Sequence, residues 1–365
     1  MRTVGVEEEL LLVDPATGEP RAMSAAVLAR ADRGDQGQEA FEEELHSQQL
    51  EFATRPKADL DELASEIVRC RQEAARLAQE TGCAVVALAS SPLPVNPSIS
   101  ANRRYEWMAE QYGIAVHEQM VCGCHVHVAV ESDDEGVAVL DRIRPWLAVL
   151  TALSANSPFW QGRDSGYDSC RSRVWQRWPS AGPTEVFGSA ERYHRRVRDM
   201  VATGVLLDKA MIYFDARLSD RYPTVEIRVA DVCLHSDTTV LLAALTRGLV
   251  ETAARDWRAG SEPAEHSVSL LRLAGWRAAR SGLSGELLHP KTMRPAPAES
   301  VLRDLLEHIA DALAGTGDNE RAQEALEALL RRGNGASVQR KALERTGSLR
   351  DVVTECIGHT QPERS

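Results

Sequence analysis

Close to the start of the chain lies Val4-Gly5-Val6-Glu7-Glu8-Glu9-Leu10-Leu11-Leu12, the segment on which the predicted sheet is built. Side chains alternate between the two faces of a strand, so this pattern predicts a β-strand with Glu7 and Glu9 on one face and apolar residues on the other. Glu8 has the parity of the apolar face, and we expect it to lie at the rim or to pair with a basic residue. The simpler alternative is an edge strand whose acids are solvated.

The same design recurs in three later segments, each with a polar pair on one face and an apolar reverse face. The pairs are Gln49 and Glu51 within residues 42–54, His125 and His127 within 121–130, and Glu226 and Arg228 within 224–231. Glu44 precedes the first of these pairs by one strand length. A sheet built from such strands can rest its apolar side on helices and gather its acids and imidazoles on the other side.

Composition narrows the class of protein. The chain has 365 residues and a net charge of −12, which argues against nucleic acid as a partner. No apolar run is long enough to cross a bilayer, and Glu7 to Glu9 lie where a signal peptide would need its apolar core, so we expect a cytoplasmic protein. Seven cysteines at irregular spacing predict reduced thiols, and Cys122 and Cys124 are expected to be small buried hydrophobes rather than zinc ligands.

The order of the remaining segments predicts an α+β fold. Residues 59–80 carry an apolar stripe at helical spacing behind a capping residue, Asp59, and residues 237–344 are mostly helical. Residues 211–218 and 224–231 are expected to pair as strands, and residues 32–39 to form a loop. Neither an internal repeat nor a clean linker is evident, so we predict a single domain over residues 1–365.

The polar side chains indicate a particular chemistry. Several glutamates with histidine suit a hard divalent cation, Mg²⁺ or Mn²⁺, better than zinc. Carboxylate-bound Mg²⁺ commonly serves a nucleoside triphosphate, and an arginine such as Arg228 beside it can stabilise the transferring phosphoryl group. The sequence has no Walker A motif and no dinucleotide fingerprint, so a nucleotide would need another scaffold.

Taken together, these segments resemble the bacterial carboxylate–amine ligases of the second type of glutamate–cysteine ligase. The resemblance extends from Gly5 to about Pro290 and is specific as an ordered set of motifs. The motifs are GVEEE at 5–9, EFAT at 51–54, CGCHVHV at 122–128, ALSANSPFWQG at 152–162, WPSAGP at 178–183 and YPTVEIRVAD at 222–231.

The resemblance implies a fold related to glutamine synthetase, in which an antiparallel sheet curves into a funnel with helices packed outside. It implies an enzyme that uses ATP to join a carboxylate, glutamate, to an amine such as cysteine through an acyl phosphate, and that assembles as a dimer or larger. By motif, the metal ligands would be Glu7, Glu9, Glu44, Glu51, His125 and Glu226. Glu226 and Arg228 would be catalytic, with Arg228 on the γ-phosphate; Arg104, Arg171 and His127 would bind substrate, and Trp276 and Arg280 would close over the nucleotide.

The chain departs from the family pattern just before Trp276, where Leu273, Ala274 and Gly275 replace an acid and an amide. Two alternatives to the ligase remain open. A metal-dependent hydrolase would use His125 and the glutamates to activate water and would turn over without ATP. A catalytically silent relative would bind a metabolite or protein without releasing ADP.

Overall fold

The computed structural model describes residues 1–31 and 41–361, and the loop predicted over residues 32–39 lies outside them. Eleven strands are formed in this part of the chain: β1 Val4–Val13, β2 Phe41–Glu43, β3 Gln49–Ala53, β4 Ala84–Val86, β5 Gly123–Ala129, β6 Phe159–Trp160, β7 Arg163–Asp164, β8 Ala216–Leu218, β9 Thr224–Asp231, β10 Glu286–Leu288 and β11 Pro295–Pro297. The α-helices of the same part are α1 Ser24–Ala31, α2 Leu60–Gln79, α3 Arg103–Tyr112, α4 Ile114–His117, α5 Asp133–Ile143, α6 Leu147–Ser154, α7 Cys170–Trp175, α8 Ala190–Ala202, α9 Ser236–Arg258, α10 Val268–Ser281, α11 Ala298–His308, α12 Ala310–Thr316, α13 Asn319–Arg332, α14 Gly335–Thr346 and α15 Leu349–Thr360.

One antiparallel sheet organises the fold. Its strands follow the order β2-β3-β1-β5-β9-β8, and β4 also pairs with the end of β1. Because the order ends in two different strands, the sheet is open among the described residues, and no closed barrel forms. The predicted α+β class with an antiparallel sheet is thus confirmed, whereas the funnel shape is not established.

The register of this sheet brings the predicted polar pairs side by side. Glu7 lies opposite His125 on β5, and Glu9 lies opposite Glu51 on β3. Further along β5, His127 lies opposite Glu226 on β9. Since facing residues on neighbouring antiparallel strands share a face, four strands contribute to one polar surface.

The reverse face of the sheet packs against helices. Val4, Val6 and Leu10 are buried there, and α9 contacts both β1 and β5 while α6 contacts β9. Each large aliphatic side chain removed from water contributes roughly 1.5–3 kcal/mol, so this face supplies much of the drive to fold.

Glu8 is buried within the apolar layer and pairs with a base, as predicted. Both of its carboxylate oxygens accept hydrogen bonds from the Arg71 guanidinium of α2, each at 2.8 Å. Thr239 of α9 donates a third hydrogen bond at 2.6 Å. The pair joins the sheet to two helices, and removing one partner of such a buried pair costs about 3–5 kcal/mol.

The predicted helix over 59–80 is confirmed as α2. The Asp59 side chain accepts hydrogen bonds from the backbone N–H groups of Asp61 and Glu62, which satisfies two donors that no helical carbonyl can reach. Its apolar stripe is buried, including Leu63, Ile67 and Cys70. Helix α2 is therefore fixed both by its cap and by its packing.

Two predicted strands are shorter than expected. Residues 42–54 split into β2 and β3 because the chain turns between them, where the buried His46 ring bonds to Gln49 and to the Val116 carbonyl. Residues 211–218 form a strand only at β8, since Ser180 Oγ accepts the backbone N–H of Tyr213 at 3.1 Å. That hydrogen bond turns the residues before β8 away from β9, so only Ala216–Leu218 pair with it.

The seven cysteines are unpaired, and all are buried. Each lies within the packed layers, and Cys122 and Cys124, both fully buried, are small buried side chains as predicted. In the described ranges, 1–31 and 41–361, we find no helix with the length and apolar character needed to span a bilayer.

Candidate active site

The polar face of the sheet lines a cavity of about 650 Å³. The predicted residues that line it are Glu7, Glu44, Glu51, His125, His127, Glu226 and Arg228. Its outer rim is formed by the β8–β9 connection, including Arg221 and Tyr222. A cavity of this size can hold a ligand as large as a nucleotide.

Three overlapping groups in this face could each hold a cation. They are Glu7 with His127 and Glu226, Glu7 with Glu51 and His125, and Glu9 with Glu44 and Glu51. In each group, one ligand atom from every residue lies within 4.8 Å of the others. Because Glu7 and Glu51 are shared, the groups form a continuous row, the ligand row. All six predicted metal ligands belong to it.

Glu7 stands at the centre of the row between two imidazoles. Its Oε2 lies 3.0 Å from Nδ1 of His125, and its Oε1 lies 3.2 Å from Nε2 of His127. Burial would raise the pKa of Glu7, but the two imidazoles lower it well below its ordinary value. Glu7 is therefore a carboxylate at neutral pH.

The pKa values of Glu9 and Glu51 shift in the opposite direction, upward. Burial and the neighbouring Glu44 raise the pKa of Glu9 to about 7, although the Gly123 N–H donates to it at 2.6 Å. Burial and the charges of Glu44, Glu7 and Glu9 raise the pKa of Glu51 well above its ordinary value. Crowded carboxylates of this kind require either protons or a cation between them.

The two histidines also have unused ligand atoms. Nε2 of both His125 and His127 is buried without a properly directed hydrogen bond among the described residues. Burial and the Arg228 charge lower the pKa of His125 to about 4, so its imidazole is neutral and able to coordinate. Buried nitrogen atoms aimed at a group of carboxylates fit a divalent cation.

Glu226 and Arg228 are two residues apart on the same face of β9, and their side chains form an ion pair. Arg217 on β8 also binds Glu226, with Nε 2.7 Å from Oε2. Burial would raise the pKa of Glu226, but the Arg228 and Arg217 guanidinium groups lower it far below its ordinary range. Arg217 was not among the predicted site residues. The expected pairing of residues 211–218 with 224–231 placed it on the neighbouring strand, but only the observed register sets it opposite Glu226.

Arg171 of α7 lies at the inner end of the polar face. Its guanidinium is fully buried, lies 5.5 Å from the Trp175 ring centroid and donates to the Arg228 carbonyl at 3.4 Å. A Cβ atom at residue 123 would come within 2.2 Å of its Nη2, so glycine is needed there for the arginine to cross β5. Arg171 and Arg228 thus meet beside one indole ring.

Asp231, at the end of β9, holds the segment that carries Arg171. Its buried carboxylate accepts hydrogen bonds from the Asn156 N–H at 2.8 Å, from Ser157 Oγ at 2.7 Å and from Ser169 Oγ at 2.8 Å. It also lies 3.8 Å from Nη1 of Arg171. The segment between α6 and α7 is therefore fixed where it reaches the site.

Arg104 lies at the edge of this region and already has a partner. It forms an ion pair with Asp208, with one N–O distance of 3.1 Å, and its side chain is 29% exposed. It is not among the residues that line the large cavity. Its predicted role in substrate binding therefore stays a prediction.

Residues 3–355 match the profile of the glutamate–cysteine ligase family 2, GCS2. The chain belongs to this family. The GCS2 profile spans nearly the whole chain, including every residue named in the site above.

Relatives agree over the full length. A protein of Streptomyces avermitilis, provisionally named glutamate–cysteine ligase 2-1, is 75% identical over 361 residues, covering 99% of this chain and 100% of that protein. One from Streptomyces coelicolor, provisionally named glutamate–cysteine ligase 2, is 74% identical over 361 residues, with 99% of each chain covered. This GCS2 chain is thus a member of a carbon–nitrogen ligase family.

Solved structures show that the GCS2 fold is shared with distant ligases. Glutamate–cysteine ligase from Francisella tularensis, solved in complex with AMP, superposes with a TM-score of 0.68 at 12% identity, covering 99% of this chain and 88% of that one. A bifunctional glutathione synthetase from Pasteurella multocida gives 0.70 at 16% identity, covering 99% and 52%. At these identities the likeness establishes the fold alone.

Two residues predicted to close over a nucleotide lie elsewhere in this GCS2 chain. Trp276 and Arg280 of α10 both contact Tyr167, with a ring centroid distance of 6.4 Å for Trp276 and a guanidinium distance of 5.9 Å for Arg280. Neither lines the 650 Å³ cavity. The structure therefore does not bring them together with the ligand row, and their role stays a prediction.

Proposed function

We propose that the chain is an ATP-dependent carboxylate–amine ligase that forms an amide bond through an acyl phosphate, with glutamate as the acid and cysteine as the first amine to test. The observation that carries this proposal is the row of glutamates and histidines on one face of the sheet, with Arg228 beside it. Membership in GCS2 supports the reaction type. The distant glutamate–cysteine ligase with bound AMP supports nucleotide use on this fold.

The ligand row would hold Mg²⁺, or Mn²⁺, and hard oxygen ligands with a neutral imidazole suit either ion. When bound, such ions neutralise the charge of the nucleotide phosphates. Glu7 and Glu226 keep their negative charge at neutral pH and so offer ligand oxygen atoms without first losing a proton.

Arg228 would stabilise the phosphoryl group as it leaves ATP for the acid. Its guanidinium carries charge at any working pH, and burial among Trp175, Tyr213 and Glu226 holds it in one position. A preorganised cation in a site that excludes water lowers the barrier more than the same charge in solvent. Arg171, whose guanidinium lies against the same indole, is placed to meet the carboxylate of a substrate.

The 650 Å³ cavity would take the nucleotide from the side of the β8–β9 connection. The opening there is lined by Arg217, Ser219, Arg221 and Thr224. The acid and amine would then approach from the opposite, inner end, where Arg171 lies. This arrangement would keep the acyl phosphate between the nucleotide end and the inner end of the site, away from bulk water.

The Glu226→Gln variant tests the ligand row. Since the amide keeps the shape but loses the charge, we expect Mg²⁺-dependent ADP release with glutamate and amine to fall at least about 100-fold. Glu43→Gln is the matched control, because this acid of the same sheet does not line the cavity. Full ADP release by Glu226→Gln would exclude the proposed metal site.

The same assay separates the two alternatives. Turnover of an amide or ester substrate without ATP would favour the metal-dependent hydrolase. Nucleotide binding without ADP release, across glutamate and related acids with a panel of amines, would favour the catalytically silent relative. ADP release that requires both an acid and Mg²⁺ supports the ligase.

A further inference from the structure

A second, smaller pocket of about 40 Å³ adjoins the site on the other side of Arg228. Its lining includes Arg171, Trp175 and Asp215, together with Leu271 and Ala274, which form an apolar wall on α10. Because Arg228 lines both this pocket and the 650 Å³ cavity, a group held here would lie next to the phosphoryl-transfer site. The pocket has room only for a small group.

Asp215 is the carboxylate of this pocket. Its backbone is fixed beside Arg228, since its N–H donates to the Gly182 carbonyl at 3.0 Å and its carbonyl accepts from the Arg228 N–H at 2.9 Å. Its side chain, by contrast, has neither a hydrogen bond nor an ion pair with any residue in the ranges 1–31 and 41–361. The residue is partly exposed rather than buried, so its carboxylate oxygens can receive a donor from a ligand held in the pocket.

The arginines that line the pocket each have at least one other partner, although Nε of Arg171 and of Arg228 has none among the described residues. Arg228 pairs with Glu226, and Arg171 donates to the Arg228 carbonyl. Arg144 donates to the carbonyls of Thr184, Ala264 and His266. The remaining neighbour, Arg272 of α10, is exposed and lowers the pKa of Asp215 only in part, because burial raises that pKa to about 7.

We propose that this pocket is the acceptor-amine subsite and that Asp215 receives the ammonium group and takes its proton. The inference rests on the ligase function proposed above. The α10 wall is apolar, so the pocket suits a small primary amine with a short, weakly polar side chain. Small residues at 274 and 275 leave the space that such a side chain would fill.

The proposed step balances in atoms and charge. Asp215 accepts one proton from the ammonium, the freed nitrogen lone pair attacks the acyl carbon, and a C–N bond forms. The C–O bond to phosphate breaks, and phosphate leaves with the electron pair. The nitrogen loses a second proton to the departing phosphate, and Asp215 returns its proton to solvent.

Hydroxylamine provides the decisive test, because it is largely unprotonated at neutral pH and needs no base to attack an acyl phosphate. Wild type and Asp215→Asn are compared with ATP, Mg²⁺ and glutamate, using either hydroxylamine or an amine from the series cysteine, glycine and methylamine. For Asp215→Asn we expect amide formation at neutral pH to fall about 100-fold or more, with hydroxamate formation within about threefold of wild type. Its residual amide formation should rise with pH as free amine accumulates.

Each result has a definite meaning. If wild type forms neither hydroxamate nor ADP, the proposed ligase function fails. If wild type forms hydroxamate but Asp215→Asn keeps full amide formation, the proposed amine subsite is excluded. It is also excluded if Asp215→Asn loses amide and hydroxamate formation equally. Hydroxamate formation by wild type without amide from any amine of the series would also overturn it. Glu185→Gln, an exposed acid on the neighbouring loop, serves as the control and should match wild type with both nucleophiles.

Discussion

Glu9 and Glu51 lie opposite each other on β1 and β3, and both have raised pKa values. A cation that binds between them must displace their protons, so binding is coupled to pH. Below pH 7 the proton on Glu9 competes with the metal; above it the carboxylate is free.

We therefore predict that Mg²⁺ affinity rises as the pH increases from about 6 to 8, by up to about tenfold per pH unit for each proton displaced. Isothermal titration calorimetry in buffers of different ionisation enthalpy measures both the affinity and the proton release. Affinity that does not change over this range would contradict a role for Glu9 and Glu51.

A residue that stabilises the transferring phosphoryl group, as proposed for Arg228, should affect turnover, whereas a residue that only anchors ATP should affect ATP affinity as well. The Arg228→Ala variant leaves Glu226 paired with Arg217, so the carboxylate does not become an unpaired buried charge. We expect turnover to fall about 100-fold or more, with ATP affinity within about threefold of wild type.

Steady-state turnover and direct nucleotide titration measure the two quantities separately. Equal losses in both would indicate that Arg228 simply anchors ATP. Arg142→Ala, which removes a guanidinium that donates to the carbonyls of Ala138 and Ser261, is the control.

At the scale of the element, the segment between α6 and α7 depends on one carboxylate. Asp231→Asn replaces one carboxylate oxygen, which accepts hydrogen bonds, with an amide nitrogen, which only donates, so at least one of its three donors is lost. We expect a loss of about 1–3 kcal/mol in the free energy of unfolding, and a KM for the acid that rises because Arg171 is no longer held.

Asp141→Asn is the matched control for this effect. Asp141 accepts the backbone N–H groups of Phe187 and Gly188, both at 2.7 Å, and so holds the next connection along the chain, between α7 and α8. Its substitution should lower stability comparably without changing KM. Chemical denaturation and steady-state kinetics on both variants give the comparison, and an unchanged KM in Asp231→Asn would show that Asp231 is structural only.

The strands show what the sequence could and could not predict. Two-residue alternation correctly predicted the shared faces of Glu7 and Glu9 and of His125 and His127, because side-chain parity is a local property. The pairing of Arg217 with Glu226 and the position of Asp215 depend on the register of a hairpin. Sequence periodicity does not fix that register, so neither residue was identified from the sequence.

At the scale of the whole molecule, the C-terminal helices support the site from behind. Gln339 of α14 donates to both the carbonyl and the side-chain oxygen of Asn156, at 2.9 and 2.7 Å. Asn156 in turn donates to the carbonyls of Ala87 and Val232. The sequence predicted helices in this region, but it held no signal for what they contact, since contacts over such separations follow from the packing of the whole chain.

Two glycine substitutions in the C-terminal helices should have opposite effects on stability. A Cβ at Gly335 would lie 2.0 Å from Oδ1 of Asn156, so Gly335→Ala should displace Asn156 and cost about 1–3 kcal/mol. Gly358→Ala meets no atom within 4 Å in α15 and should stabilise the protein by about 0.5–1 kcal/mol. Thermal unfolding of both variants checks the signs, and a neutral Gly335→Ala would mean that α14 does not press on Asn156.

The burial of every cysteine has a practical consequence for work on this molecule. An aqueous thiol reagent should leave the native protein almost untouched and modify seven positions only once the chain unfolds. A single cysteine introduced on the surface would then be the one site that a maleimide dye finds, with no need to remove the natural seven. Fluorescence from such a probe beside the cavity mouth at Tyr222 could follow ligand entry in real time.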